Sequence, residues 1–280
     1  MTKHLTLLLI FSVGFSQQEY NSNDLLEMDN GLWTVKFSDK PISGKVYGYF
    51  GKEGNLKKVY IGNMVNGKKE GKFTSWYHDT GTKKYEMNYK DGKQDGLDTE
   101  WYENGNKKYE EYYKDGKQDG ISTTWYENGN KKYEKYYKDG KQDGLDTEWY
   151  ENGQKKSEGN YKDGKEEGLH TSWEINGRKD SERNYKNGKL EGLSTFYENG
   201  IIRSQVEYKS DTRDGIYNVF HEHGSKSITG FYKNGKINGL WTNYKEPQIW
   251  NLNKPPIKIS EVMWKNGSTN GKSIHYHNNG

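Results

Sequence analysis

The side chains in this 280-residue chain that could do chemistry are few, and most of them recur. His221-Glu222-His223 and His275-Tyr276-His277 each hold two imidazoles two residues apart, which on a β-strand puts both on one face. Such pairs suit zinc or a related cation. No third ligand is fixed by the sequence, so no metal site is assigned. Asp91/Asp95, Asp115/Asp119 and Asp139/Asp143 repeat a carboxylate pair around a glycine. Calcium loops carry a denser run of oxygen ligands, and aspartate is favoured beside glycine in turns, so these pairs read as turn chemistry. Tyr102, Tyr112, Tyr126, Tyr136 and Tyr150 are interleaved with lysines and expected to be exposed. They form the candidate binding surface, because tyrosine anchors protein interfaces and its ring can stack on a sugar. The glutamates among them, such as Glu110, Glu134 and Glu148, repel phosphate and speak against nucleic acid.

No catalytic residue or cofactor site is assigned. The chain has no Gly-Lys-Ser/Thr phosphate loop, no nucleophile elbow and no zinc-protease helix. Its carboxylates return in every repeat, as a structural role requires, whereas a catalytic pair would occur once. A non-enzymatic protein is expected.

Composition points the same way. Hydrophobic residues make up 30% and charged residues 30% of the chain, too polar for a thick core. The 24 tyrosines and 9 tryptophans argue against disorder and for a thin sheet lined with aromatics. With 43 basic and 40 acidic residues the charge is +3, giving no electrostatic reason to expect nucleic acid. There are no cysteines, which removes disulfides and thiolate chemistry.

Lys3 and His4 precede an apolar run, Leu5 to Phe15, with Gly14 and Ser16 near its end. This is the pattern of a signal peptide over residues 1–16, too short for a stable membrane span. It predicts export to the periplasm, cell envelope or exterior.

The elements that position all these residues follow from one period. Gly96, Gly120, Gly144, Gly168 and Gly192 are each 24 residues apart, and Gly215 and Gly239 continue the series. Self-similarity at a fixed spacing marks a repeat architecture. Within one repeat, Lys107–Tyr113 and Ile121–Tyr126 are short, aromatic and β-branched, bounded by Asp115-Gly116 and Asn128-Gly129. These are strand and turn signals. The fold class expected is all-β, an elongated antiparallel array of β-hairpins. Residues 17–32 form an N-terminal leader segment and residues 33–280 the array, with an irregular loop over 246–261 that contains Pro247, Pro255 and Pro256. The columns Leu97/Thr99/Trp101, Leu145/Thr147/Trp149 and Leu169/Thr171/Trp173 and the tyrosines Tyr113, Tyr137 and Tyr161 persist from repeat to repeat. They are expected to stack together on one buried side, with Gly120 in a turn.

The phrase Tyr-Lys-Asp-Gly-Lys-x-Asp-Gly followed by Trp-Tyr-Glu-Asn-Gly resembles the MORN repeat in its bacterial variant, the one found in YwqK-type antitoxin-like proteins. The resemblance covers roughly Trp33 to Gly280. It implies a sheet built of hairpins that serves as a scaffold, dimerisation module or lipid-associated surface. The antitoxin label implies a partner toxin to neutralise, and the leader departs from that expectation. The reading that results is an exported, non-enzymatic module that binds a protein partner through its sheet. A YwqK-type antitoxin and a glycan-binding envelope protein are the alternatives. Neither the partner nor the oligomeric state is fixed by the sequence.

Overall fold

The computed structural model describes residues 18–51, 54–247 and 255–276. The expected signal peptide, residues 248–254 of the 246–261 loop and His277 lie outside the described residues, and the last four residues assigned to that loop, 258–261, instead belong to a paired strand. The described chain is nearly all β-strand, with one short 3-10 turn at Ser22–Asp24. It divides into two compact units, residues 1–96 and 97–280.

In the first unit, β1 (Glu19–Asn21) runs parallel to β4 (Gly44–Phe50), while β2 (Leu25–Glu27) and β3 (Trp33–Val35) make a separate antiparallel ribbon. Strands β4, β5 (Lys57–Val65), β6 (Lys68–Trp76), β7 (Lys83–Lys90) and β8 (Lys93–Gln94) then pair antiparallel in order. This unit has an apolar core of Ile42, Val46, Met64 and Phe73, with Tyr20, Leu25 and Trp33 packed against it. Residues 17–32 thus contribute to the fold through Tyr20 and Leu25.

The second unit is a run of hairpins. Its strands are β9 (Gly96–Trp101), β10 (Lys107–Lys114), β11 (Lys117–Trp125), β12 (Lys131–Lys138), β13 (Lys141–Trp149), β14 (Lys155–Lys162), β15 (Lys165–Trp173) and β16 (Lys179–Lys186). There follow β17 (Lys189–Leu190), β18 (Gly192–Glu198), β19 (Ile201–Lys209), β20 (Thr212–Phe220), β21 (Lys226–Lys233), β22 (Lys236–Tyr244), β23 (Lys258–Lys265) and β24 (Ser268–His275). From β10 on, neighbouring strands pair antiparallel, with β16 pairing to both β17 and β18. The hairpin repeat array expected from the 24-residue period is what the chain forms.

Two turn types alternate. Asp115-Gly116 has φ of 50° and 83° at its two central positions, the I′ geometry that matches strand twist. In the other turn the Gly129 N–H donates to Tyr126 O and the Tyr126 N–H donates to Asn130 O. Only Gly129 is left-handed there, so this is a type I turn closed by a glycine.

The period-marking glycines are not in turns, contrary to the expectation for Gly120. Gly120 lies inside β11, where the pairing with β10 slips between Glu111 and Tyr113. Its φ of 125° and the Tyr112 Cβ, 3.1 Å from where a side chain would start, both require glycine at this bulge.

The register also corrects the expected faces. Tyr133 pairs with Glu148, Glu134 with Thr147, and Lys135 with both Ser122 and Asp146. Directly paired residues share a face, so Tyr109, Glu111 and Tyr113 lie with Ser122. Glu110 and Tyr112 lie with Ile121 and Thr123. The tyrosine and Leu-Thr-Trp columns therefore occupy opposite faces, here called the tyrosine face and the threonine face. The threonines are buried as expected, Thr147 to 3% exposure. The leucines are not: Leu145, Leu169, Leu193 and Leu240 are exposed. No second layer covers the leucine row among the described residues, and the only buried aliphatic side chain described in this unit is Val206.

On the tyrosine face, volume is matched across the strands. Gly159 lies under the His170 ring and Gly230 under Trp241, whose rings are packed edge-on or stacked against Tyr185 and Tyr217. A Cβ at Gly230 would sit 2.4 Å from the Trp241 ring.

Two outcomes follow from this packing. Gly230→Ala should lower unfolding stability by about 1–3 kcal/mol through overpacking, read as a shift in urea midpoint; an unchanged midpoint contradicts the close approach. On the threonine face, the Lys179 ammonium and the Tyr197 hydroxyl hold the Glu182 carboxyl below its ordinary value of 4.5. A depressed folded pKa stabilises above the unfolded value and the contribution disappears as pH falls through the folded one. Glu182→Gln should therefore flatten the loss of melting temperature between about pH 5 and 3. An equally steep loss would remove Glu182 from the acid response.

Candidate interaction surface

The residues singled out by sequence fall into three places. Tyr102, Tyr126 and Tyr150 are half-buried, and each hydroxyl donates to a backbone carbonyl in the next repeat: Trp125 O at 2.9 Å, Trp149 O at 2.9 Å and Trp173 O at 2.8 Å. They lock one hairpin to the next. Asn104 and Asn106 reinforce the same edge, both donating to Glu127 O. Tyr112 and Tyr136 are exposed on the threonine face. The structure does not bring the five tyrosines together as one surface.

The aspartate pairs serve the turns. Asp119 accepts from the Asp139 N–H at 3.3 Å and Asp143 from the Asp163 N–H at 3.2 Å, so each second carboxylate caps the following turn. His221 and His223 lie in the turn after β20 rather than on a strand. His275 ends β24 and sits 3.3 Å from Ser273 Oγ. Among the described residues no group of three His, Cys, Asp or Glu is placed to hold a metal ion.

The tyrosine face carries a polar cavity of about 290 Å³ where Gly159 leaves room, lined by Asp146, Ser157, His170, Ser181 and Arg183 among others. His170 Nε2 is 2.9 Å from Asn160 O and so holds its proton there as a donor. That nitrogen is not available as a base to Ser157 or Ser181. Burial, then the carboxylates of Glu166 and Asp146, push the Tyr161 hydroxyl up to about 12. The floor thus combines a hydroxyl held protonated with the Asp146 carboxylate and the Arg183 guanidinium, whose buried Nε has no hydrogen-bond partner.

The threonine face is organised differently. A glutamate row lies half-buried along it, and each member is matched to a lysine three residues earlier and an aromatic ring fifteen residues later. Lys107 contacts Glu110 and lies 5.6 Å over the Trp125 ring; Lys155 is 2.6 Å from Glu158 and 5.4 Å over Trp173. Where tyrosine replaces the tryptophan, its hydroxyl binds the carboxylate directly, as Tyr197 does to Glu182 at 2.5 Å and Tyr276 does to Glu261. Burial, then that bond to Glu182, raises the Tyr197 hydroxyl to about 12.

Beside this row runs an uncovered apolar ridge. Register places Ile121 opposite Tyr136, Ile216 opposite Phe231, and Leu240 opposite Met263. Leu145, Leu169 and Leu193 fill the places between, opposite Asn160, Asn184 and Glu207. Leu169 is 49% exposed and Phe231 51%. Exposed apolar residues in register along one face mark an interaction site. Sequence reading missed the ridge because it assigned the leucine column to the core; the signal was the column itself.

The turn end of the same face carries lysines in directly opposed pairs, Lys114–Lys117, Lys138–Lys141, Lys162–Lys165, Lys186–Lys189 and Lys233–Lys236. Among the described residues, the lysine ion pairs are made by other lysines, those next to the glutamates.

A search among curated proteins returns no match. Residues 69–91, 94–115, 118–139, 142–163 and 190–210 match the MORN repeat variant. In sequence, these five segments are similar to that repeat.

Proposed function

We propose that the chain is an exported, non-enzymatic module that docks a protein partner on the threonine face of its second unit. The observation that carries this reading is the ridge whose Leu145, Leu169, Leu193, Phe231, Leu240 and Met263 are exposed and which no described part of the chain covers. A repeat array offers such a row because each hairpin presents the same position at the same pitch. The buried threonines beneath fix the sheet, and the leucines above them are free to contact another surface. Residues 1–16 support export through their basic start, apolar run and small residues. A YwqK-type antitoxin would act in the cytoplasm beside its toxin, so location separates the two readings.

The test is a paired capture and fractionation. The double variant Leu145→Ser/Leu169→Ser should melt within a few degrees of the parent, as surface changes do. It should lose proteins that the parent retains from the cell envelope or culture fluid. The mature chain should lack residues 1–16 and be found outside the cytoplasm. An identical capture profile would overturn docking on the ridge, and a cytoplasmic chain with its leader intact would overturn export.

A further inference from the structure

The lysine pairs are at odds with the fold's own interest. Lys114 stands directly opposite Lys117, Lys138 opposite Lys141 and Lys162 opposite Lys165, in three successive hairpins. Like charges directly opposed across strands destabilise a sheet. All six are exposed. Each pair flanks a single turn aspartate, Asp115, Asp139 or Asp163, so two ammonium groups stand beside one carboxylate; the next carboxylates, Asp119 and Asp143, accept from the backbone N–H groups of the following turns. The glutamate row on this face is matched to its own lysines, one per repeat. The turn lysines are thus surplus to the internal pairing, and they repeat at the pitch of the ridge.

They also lie on the ridge's side of the sheet. Lys114 follows Tyr112 by two residues in β10, and Lys138 follows Tyr136 by two in β12, so each lysine points the same way as the exposed tyrosine beside it. One face therefore presents an apolar row with a cationic row along its border.

We infer that the partner docked on this face is a protein segment carrying Asp or Glu beside apolar side chains, its acids meeting the paired lysines and its apolar residues the leucine ridge. The inference rests on the ridge being the docking site. Charge complementarity of this kind sets specificity and association rate. An acidic lipid surface fits less well. The glutamate row shares the face, and Asn160, Asn184 and Glu207 interrupt the ridge, so a membrane would have to take in carboxylates and amides with the leucines. Nucleic acid would leave the aliphatic row uncovered.

The experiment selects a displayed random peptide library on the folded full chain at low salt, then measures enriched peptides by fluorescence anisotropy. Vesicles of phosphatidylcholine with and without phosphatidylserine are measured in parallel. Enriched peptides should combine Asp or Glu with Leu, Ile or Phe. Their affinity should fall roughly tenfold in Lys114→Gln/Lys117→Gln/Lys138→Gln/Lys141→Gln and fall with added salt. The same variant should melt at or above the parent temperature, since repulsion is relieved. Leu145→Ser/Leu169→Ser should abolish binding. Peptides that need the ridge but are neutral or basic, and ignore the lysine changes, would overturn the acidic partner and leave ridge docking standing. Peptides that bind both variants as well as the parent, or a selection that enriches nothing, would overturn docking on the ridge itself. Binding to phosphatidylserine vesicles that depends on both leucines and lysines would replace the acidic protein with a membrane.

Discussion

The second unit depends on one constraint: each hairpin is completed by the hairpin after it. Val206 is the only buried aliphatic side chain described there, so burial of a common apolar core does not organise the unit. What replaces it is a set of contacts reaching about one repeat ahead. The Tyr126 hydroxyl reaches Trp149 O, Asn130 reaches Glu151 O, the Asp139 N–H reaches back to Asp119, and the Gly140 N–H donates to Gln118 O. Each of these satisfies a backbone group that a lone hairpin would leave to water. Their number grows with the number of repeats, which is why the array can be polar and still ordered.

With that structure in place, the two faces are free to differ. The tyrosine face compensates volume, small residue against large, and its concavities are filled by rings or floored by polar groups. The threonine face buries its threonines and Glu261 and half-buries its other glutamates. The leucines above them have no structural duty, and a position kept apolar without being buried is best understood as a contact. The lysine border fits the same logic, because paired like charges oppose folding and are tolerated where a partner supplies the counter-charge.

Much of this was legible in the sequence. The strands, the Asp-Gly turns and the hairpin array follow from the 24-residue period and the aromatic segments. The relation between the faces was also readable, had the turn been counted through. A two-residue turn at Asp115-Gly116 pairs Lys114 with Lys117, which sets Tyr113 with Gln118 and then with Ser122, not with Thr123. Hydrophobicity alone suggested that Leu145 and Leu169 belong inside; their exposure in the folded chain shows otherwise. The hydroxyl bonds of Tyr102, Tyr126 and Tyr150 join residues 23 apart, beyond the reach of any local pattern. The bulge at Gly120 is not marked by its neighbours Asp119 and Ile121, which would equally suit a turn leading into a strand.

The tyrosine and asparagine contacts between repeats are unequally distributed, with a single Arg203 bond to Phe220 O in their place farther along, and this gives the most direct measurement. Tyrosine locks and asparagine bridges serve β10 to β15, whereas Glu174, Glu198 and His221 stand where Tyr150 would recur and carry no such hydroxyl. Amide hydrogen exchange on the full chain, followed by mass spectrometry, reads local opening strand by strand. If coupling between neighbouring hairpins holds this unit together, β10 to β15 exchange markedly more slowly than β18 to β22. Equal protection across the two sets, or slower exchange in β18 to β22, would contradict it.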